Sequence, residues 1–114
     1  MIAVIFELTP AEGRRQEYLD LAAGLRAELD KADGFLSIER YESLTTPGNM
    51  VSLSFWRDEE AVRRWRNVQL HREAQAKGRG GIFRAYRLRV AEVIRDYSLD
   101  ERSQAPADSL AIHG

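Results

Sequence analysis

The chain opens on a short apolar run, Ile2 to Leu8, rich in β-branched residues and closed by Thr9-Pro10, the pattern of a buried strand. Thr9-Pro10-Ala11-Glu12 then offers an N-cap hydroxyl, a proline suited to a first helical position and a glutamate placed to reach back to the cap. Beyond it Tyr18, Leu21, Ala22, Leu25 and Leu29 recur three and four residues apart, so one apolar stripe runs along a helix to about Ala32. Gly34 is placed to end that helix in a left-handed turn.

Phe35 to Ser43 and Met50 to Trp56 are strand-like runs on either side of Leu44-Thr45-Thr46-Pro47-Gly48-Asn49, a segment dense in turn formers, and they predict a hairpin. Within the second run Val51, Leu53 and Phe55 alternate with Ser52, Ser54 and Trp56, as expected of a half-buried strand. Asp58-Glu59-Glu60 opens a second helix with negative charge at its positive end, and Ala61, Val62 and Trp65 form its inward side. Asn67 is placed to cap a second helical piece that runs through Leu70, Ala74 and Gln75 to Gly78.

After Gly80-Gly81, the run Ile82 to Tyr97 alternates again, with Ile82, Tyr86, Leu88, Val90 and Ile94 tending to one face. Its sixteen residues would span roughly 50 Å, too long for one compact sheet to pair. Either the strand breaks or its second half crosses into another subunit, and the apolar Val93 and Ile94 favour the crossing.

The order β-α-β-β-α-β predicts an α+β fold of the ferredoxin-like type, a four-stranded antiparallel sheet with both helices on one face. The other face is left bare, with Phe35, Tyr41, Phe83, Ala85, Ala91, Val93 and Tyr97 on it, a patch too apolar for a monomer to leave wet. A two-fold pairing of such faces covers them, so the expected unit is a homodimer. Residues 1–98 read as one domain, and residues 99–114 as a polar, unpatterned and flexible C-terminal tail.

Composition narrows the function classes. With 17 basic and 18 acidic residues the net charge is −1, so no global field draws the chain to nucleic acid or to an anionic membrane. There is no cysteine, which removes disulfides and thiolate chemistry and suits a reducing, cytoplasmic setting. Glu7 interrupts the opening apolar run before any signal-peptide core, and no segment reaches transmembrane length. Arg63, Arg64, Arg66 and Arg72 make one helical surface basic, but Glu59, Glu60 and Glu73 balance it and no stacking aromatics are interleaved. Two histidines without spaced carboxylates predict no dedicated metal site.

Ser54-Phe55-Trp56-Arg57-Asp58-Glu59-Glu60-Ala61, followed by Trp65-Arg66-Asn67 and His71-Arg72-Glu73-Ala74-Gln75, resembles the antibiotic biosynthesis monooxygenase family, and Asp33-Gly34-Phe35 fits it too. The resemblance covers residues 1 to about 98 and implies a ferredoxin-like subunit that dimerises through its sheets into an α/β barrel, often exchanging its last strand. It also implies a choice among oxygenases that use no metal or flavin, haem-degrading enzymes and proteins of unassigned activity. Where the haem-degrading members place the iron-ligating histidine, ten residues after the helical tryptophan, this chain has Gln75, and in place of their first-strand asparagine it has Phe6-Glu7.

Seven side chains are candidates for the chemistry, four of them with a structural alternative. His71 has an imidazole suited to take a phenolic proton, or to hold a backbone or carboxylate partner on a helix surface. Trp65 is either a flat wall for an aromatic substrate or filling between helix and sheet, and Asn67 either a donor to a substrate oxygen or a helix cap. Arg84 is suited to hold an enolate or carboxylate, though cross-strand ion pairs with Glu39 or Glu42 are the commoner use of such arginines. Tyr41 and Tyr86 fall on strands whose side chains alternate between the helix-covered face and the barrel interior, Tyr86 is expected on the helix-covered face, and Phe55 joins Trp65 and Tyr86 as a wall.

These residues predict a cofactor-independent monooxygenase that takes a small aromatic phenol or quinol and O2, with His71 as base, Asn67 and Arg84 as oxyanion donors, and Trp65, Tyr86, Phe55 and Tyr41 around the substrate. The alternatives are a non-catalytic dimeric module that binds a small molecule, and a haem-binding or haem-degrading protein that Gln75 disfavours.

Overall fold

Strand β1 (Ile2–Pro10) is the axis of the molecule, paired antiparallel with β3 (Met50–Trp56) on one side and with β4 (Phe83–Glu92) on the other. Strand β2 (Phe35–Glu42) adds to the far side of β3, giving the sheet order β2-β3-β1-β4 with every neighbouring pair antiparallel. Helix α1 (Arg15–Lys31) joins β1 to β2, and helix α2 (Glu59–Gln75) joins β3 to β4. This is the ferredoxin-like α+β arrangement. The computed structural model describes residues 1–75 and 81–113, with the backbone alone for residues 69–75 and 113.

The apolar stripe read along α1 is the face that packs: Tyr18, Ala22 and Leu29 are buried, with Leu21 and Leu25 packed beside them. On the sheet, alternation in β3 puts Met50, Ser52, Ser54 and Trp56 under the helices and Val51, Leu53 and Phe55 on the other face. The core is split. One cluster joins Leu8, Tyr18, Ala22, Met50 and Ile82; the other joins Leu29, Trp56, Ala61, Val62 and Trp65.

Helix α1 begins later than the sequence predicts. Strand β1 runs on through Pro10, the helix starts at Arg15, and no side chain caps it. The Ala11 amide donates to the Ile82 carbonyl (2.7 Å), and the Thr9 hydroxyl expected at the cap donates instead to Asn49 Oδ1 (2.6 Å). Pairing across the sheet thus takes the groups that a cap at Thr9 would need.

Two irregularities re-aim aromatic side chains. The register of β2 shifts between Phe35 and Ser37, which turns Phe35 under the helices with its ring 5.3 Å from that of Trp56. A second shift, at Thr9/Pro10 opposite Phe83, turns Phe83 inward, 5.6 Å from both Phe6 and Tyr18. The sequence places both on the bare face, and the shifts overturn that. Tyr41, Ala85 and Ala91 do lie there, beside Ile5, Glu7, Val51, Leu53, Phe55, Arg87 and Arg89, with a Glu7–Arg89 ion pair at 2.7 Å.

The long fourth strand ends at Glu92, so pairing stops after ten residues rather than reaching Tyr97. Beyond it the chain does not stay irregular. A turn between Ser98 and Glu101 leads through the buried Ala105 to a short helix, α3 (Ala107–His113), where the sequence predicts a loose tail. Among the described residues no helix is long and apolar enough to cross a membrane.

Candidate functional site

Helix α2 is positioned from its first turn. Asp58 Oδ1 accepts a hydrogen bond from the Ala61 amide (2.9 Å), and this bond, with the Arg57 guanidinium second, holds the Asp58 carboxyl below the usual carboxylate range. Arg57 also grips Asp33 at 3.1 and 3.2 Å and pushes that carboxyl down, while its own proton is held more firmly than in free arginine. Between these charges the backbone passes closely: Gly34 sits at φ +85°, and a Cβ there would stand 2.6 Å from Ala61 Cβ. That approach seats α2 on the turn between α1 and β2.

One helical turn after Ala61, Trp65 falls on the same inward face and lies on Trp56, with ring centroids 6.2 Å apart and planes inclined by 32°. The Trp56 indole N–H donates to Ser54 Oγ at 2.9 Å, in a fully buried setting. A second aromatic group lies at the other end of the sheet, where Phe6, Phe83 and Tyr86 have ring centroids 5.6–5.9 Å apart.

A polar stripe separates the two groups. Ser52 and Ser54 are 8% and 6% exposed, and the half-buried Arg40 stands directly opposite Ser52 on the same face. The Arg40 Nε lies out of contact with solvent and has no hydrogen-bond partner. Polar groups buried beneath helices are normally satisfied, so this nitrogen stands out. Tyr86, Leu88 and Val90 of β4 face the same way as Phe6 and Val4 but are 67%, 52% and 43% exposed, so the helix-side space is open along β4.

The candidates of the sequence are dispersed. Trp65 is buried in the core, as filling between helix and sheet. Asn67 is exposed in the middle of α2, which runs unbroken from Glu59 to Gln75; it caps nothing, and two helical positions from Trp65 it points to the opposite side. Arg84 is exposed beside the irregularity opposite Pro10, roughly 25 Å along β1 from the Trp56 end. Tyr86 is on the helix side as expected. Phe55 and Tyr41 are on the bare face, separated from Trp65 by the sheet. The side chains of His71 and Gln75 lie outside the described residues, as does that of His113.

Arg40, Ser52 and Ser54 escaped the sequence reading. The signal lay in β3, where two serines share a phase with Met50 and Trp56, but the β2 register shift hid that Arg40 joins them.

Two open grooves stand out among the described residues. One, about 620 Å³, lies at the end of the sheet between Leu8, Thr9, Asn49, Met50 and Tyr86. The other, about 500 Å³, lies on the bare face between Met1, Leu36, Phe55 and Val93. Trp65 lines neither. On the surface of α2, Arg63 pairs with Glu60 and Arg64 reaches Asp33 at 3.4 Å, so two of its arginines are matched in place.

Comparison with known proteins agrees with this architecture. The sequence model of the antibiotic biosynthesis monooxygenase family matches residues 1–77. A jasmonate monooxygenase of Pyricularia oryzae is 50% identical over 93 residues, covering 82% of this chain and 43% of that protein, so the chain spans less than half of its relative's length. Among solved structures, a putative antibiotic biosynthesis monooxygenase from Deinococcus radiodurans superposes with a TM-score of 0.72 at 14% identity, covering 87% of this chain and 98% of that one. A cofactor-independent oxygenase from Streptomyces nogalater superposes at 0.68 with 16% identity, covering 88% and 97%. At these identities the structures share the fold.

Proposed function

Because the chain belongs to the antibiotic biosynthesis monooxygenase family, we propose that it is a monooxygenase that binds a small, mostly apolar phenol or enol between helices and sheet and lets it react with O2 without a bound cofactor. The observation that carries this reading is the 50% identity to a protein named for monooxygenase activity. Such a substrate does much of the chemistry. Once deprotonated it is a carbanion able to pass an electron to O2, and a methylene oxidised to a carbonyl supplies all four electrons: R2CH2 + O2 gives R2CO + H2O. The protein's part is a base, a water-poor cleft and donors for the oxyanion. His71 is the proposed base, and Tyr86 with Phe6 the proposed wall.

The same reading makes the working unit a homodimer that pairs its bare sheet faces. Ile5, Val51, Leu53, Phe55 and Tyr41 lie on that face, and the thin dimension of the subunit, 20 Å, accommodates one sheet and one helix layer. Its radius of gyration of 16.8 Å exceeds the roughly 13 Å of a compact domain of this length. Phe55 and Tyr41 then serve the dimer and not the substrate.

Oxygen-electrode measurements on purified protein with a panel of quinols, polycyclic phenols and jasmonate test the proposal. Uptake with at least one, lowered about 10²-fold or more in His71→Ala, is expected. No uptake with any of them removes the oxygenase reading. A second reading, a non-catalytic dimer that binds a small molecule, draws on Trp65 being packed against Trp56 and lining neither groove. Saturable binding without O2 uptake is its signature.

A further inference from the structure

Arg40 is a half-buried cation on the helix side of the sheet, and its Nε is out of contact with solvent and without a hydrogen-bond partner. The carboxylates near it in sequence are placed elsewhere. Glu42, two positions on along the same face, is held by Arg15, and Glu39 points to the bare side. A nitrogen in such a setting is ordinarily matched with an acceptor, because one without it has given up hydration for nothing.

Its surroundings have a direction. Cross-strand pairing places Arg40, Ser52, Phe6 and Leu88 in one row on the helix side of the four strands. At the usual strand spacing the row spans about 14 Å, with the cation at one end and the open apolar surface of Leu88 and Tyr86 at the other. Ser52, adjacent to Arg40, adds a hydroxyl donor within the row.

From this we infer that Arg40 and Ser52 form an anion subsite, which selects substrates that carry a carboxylate on an apolar body. The guanidinium fork receives the carboxylate, and the apolar remainder extends toward Phe6 and β4. The inference deepens the monooxygenase reading by naming the substrate class, and it rests on that reading for the assumption that this space takes a substrate at all. It also explains why the Arg40 Nε is kept unpaired: an internal carboxylate partner would compete with the ligand.

The test is isothermal titration of the full chain with jasmonate, 1-naphthylacetate and 4-phenylbutyrate, each compared with its methyl ester. At least one acid is expected to bind about tenfold or more tightly than its ester. Arg40→Gln is expected to abolish that preference while leaving the affinity for the ester unchanged, and Arg40→Lys to retain part of it. Arg40→Met guards against a purely structural role, since losing a cation whose Nε is unpaired leaves the melting temperature equal or higher, whereas a structural arginine lowers it. No acid binding at millimolar concentration, no preference over the ester, or a preference that survives in Arg40→Gln overturns the inference. Oxygen uptake separates the two readings. Arg40-dependent acid binding without uptake leaves the subsite standing and removes the oxygenase, while uptake with neutral phenols in a protein that shows no Arg40-dependent acid binding does the reverse.

Discussion

The Trp56 indole N–H and the Ser54 hydroxyl, two residues apart on one strand and 2.9 Å from each other, form a closed polar pair at the largest fully buried side chain among the described residues. It is the only indole contact of its kind among the described residues, and it turns a large aromatic side chain into a platform for Trp65.

Removing the acceptor exposes the value of that pair. Ser54→Ala leaves a buried N–H unpaired and is expected to cost about 1–3 kcal/mol, read as a shift in urea midpoint with an unchanged slope. A Ser54→Thr protein, which keeps the acceptor, is expected to lose less.

Among the described glycines, Gly34 leaves the least room for a Cβ. Its φ of +85° disfavours any Cβ, and the added atom meets Ala61 at 2.6 Å, so Gly34→Ala is expected to destabilise by at least about 1–3 kcal/mol. Calorimetry should record a melting temperature lower by several degrees. If the loss comes from the clash as well as from the dihedral, Ala61→Gly in the same chain restores part of it.

Acid sensitivity should trace to the charges at the start of α2. The Asp58 and Asp33 carboxyls are both held below their ordinary values, the first chiefly by the Ala61 amide and the second by Arg57. Their ionised forms therefore favour the fold, and this contribution is complete above the ordinary carboxylate range and lost as pH falls through the lowered values. Asp58→Asn keeps a capping acceptor without the charge. Melting temperatures measured between about pH 5 and pH 2 should fall less steeply for Asp58→Asn than for the wild type.

The bare sheet face predicts the assembly. Leu53 stands at its centre, between Ile5 and Glu39 on the flanking strands. Sedimentation equilibrium should find the wild type dimeric at micromolar concentration and Leu53→Lys monomeric, because an unpaired ammonium is then buried at the interface. A wild-type monomer with a cooperative melt would remove the proposed dimer.

Periodicity alone determined a good deal of this protein. The three-and-four spacing of Tyr18, Ala22 and Leu29, the alternation of Met50 to Trp56 and the cap at Asp58 are local signals, and each element they predict is present because a helix or strand buries its apolar side whatever its neighbours are. The element order then allows few sheets, and β2-β3-β1-β4 is among them. What only the tertiary structure decided are the positions where two strands disagree about register. The shifts at Phe35/Ser37 and Thr9/Pro10 each move one residue out of phase, and with a side-chain period of two a single step reverses the face. That is why Phe35 and Phe83 are core and why Arg40 stands beneath the helices opposite Ser52: the phase of a strand is set by its hydrogen-bonded partner, which a reading along one strand does not contain.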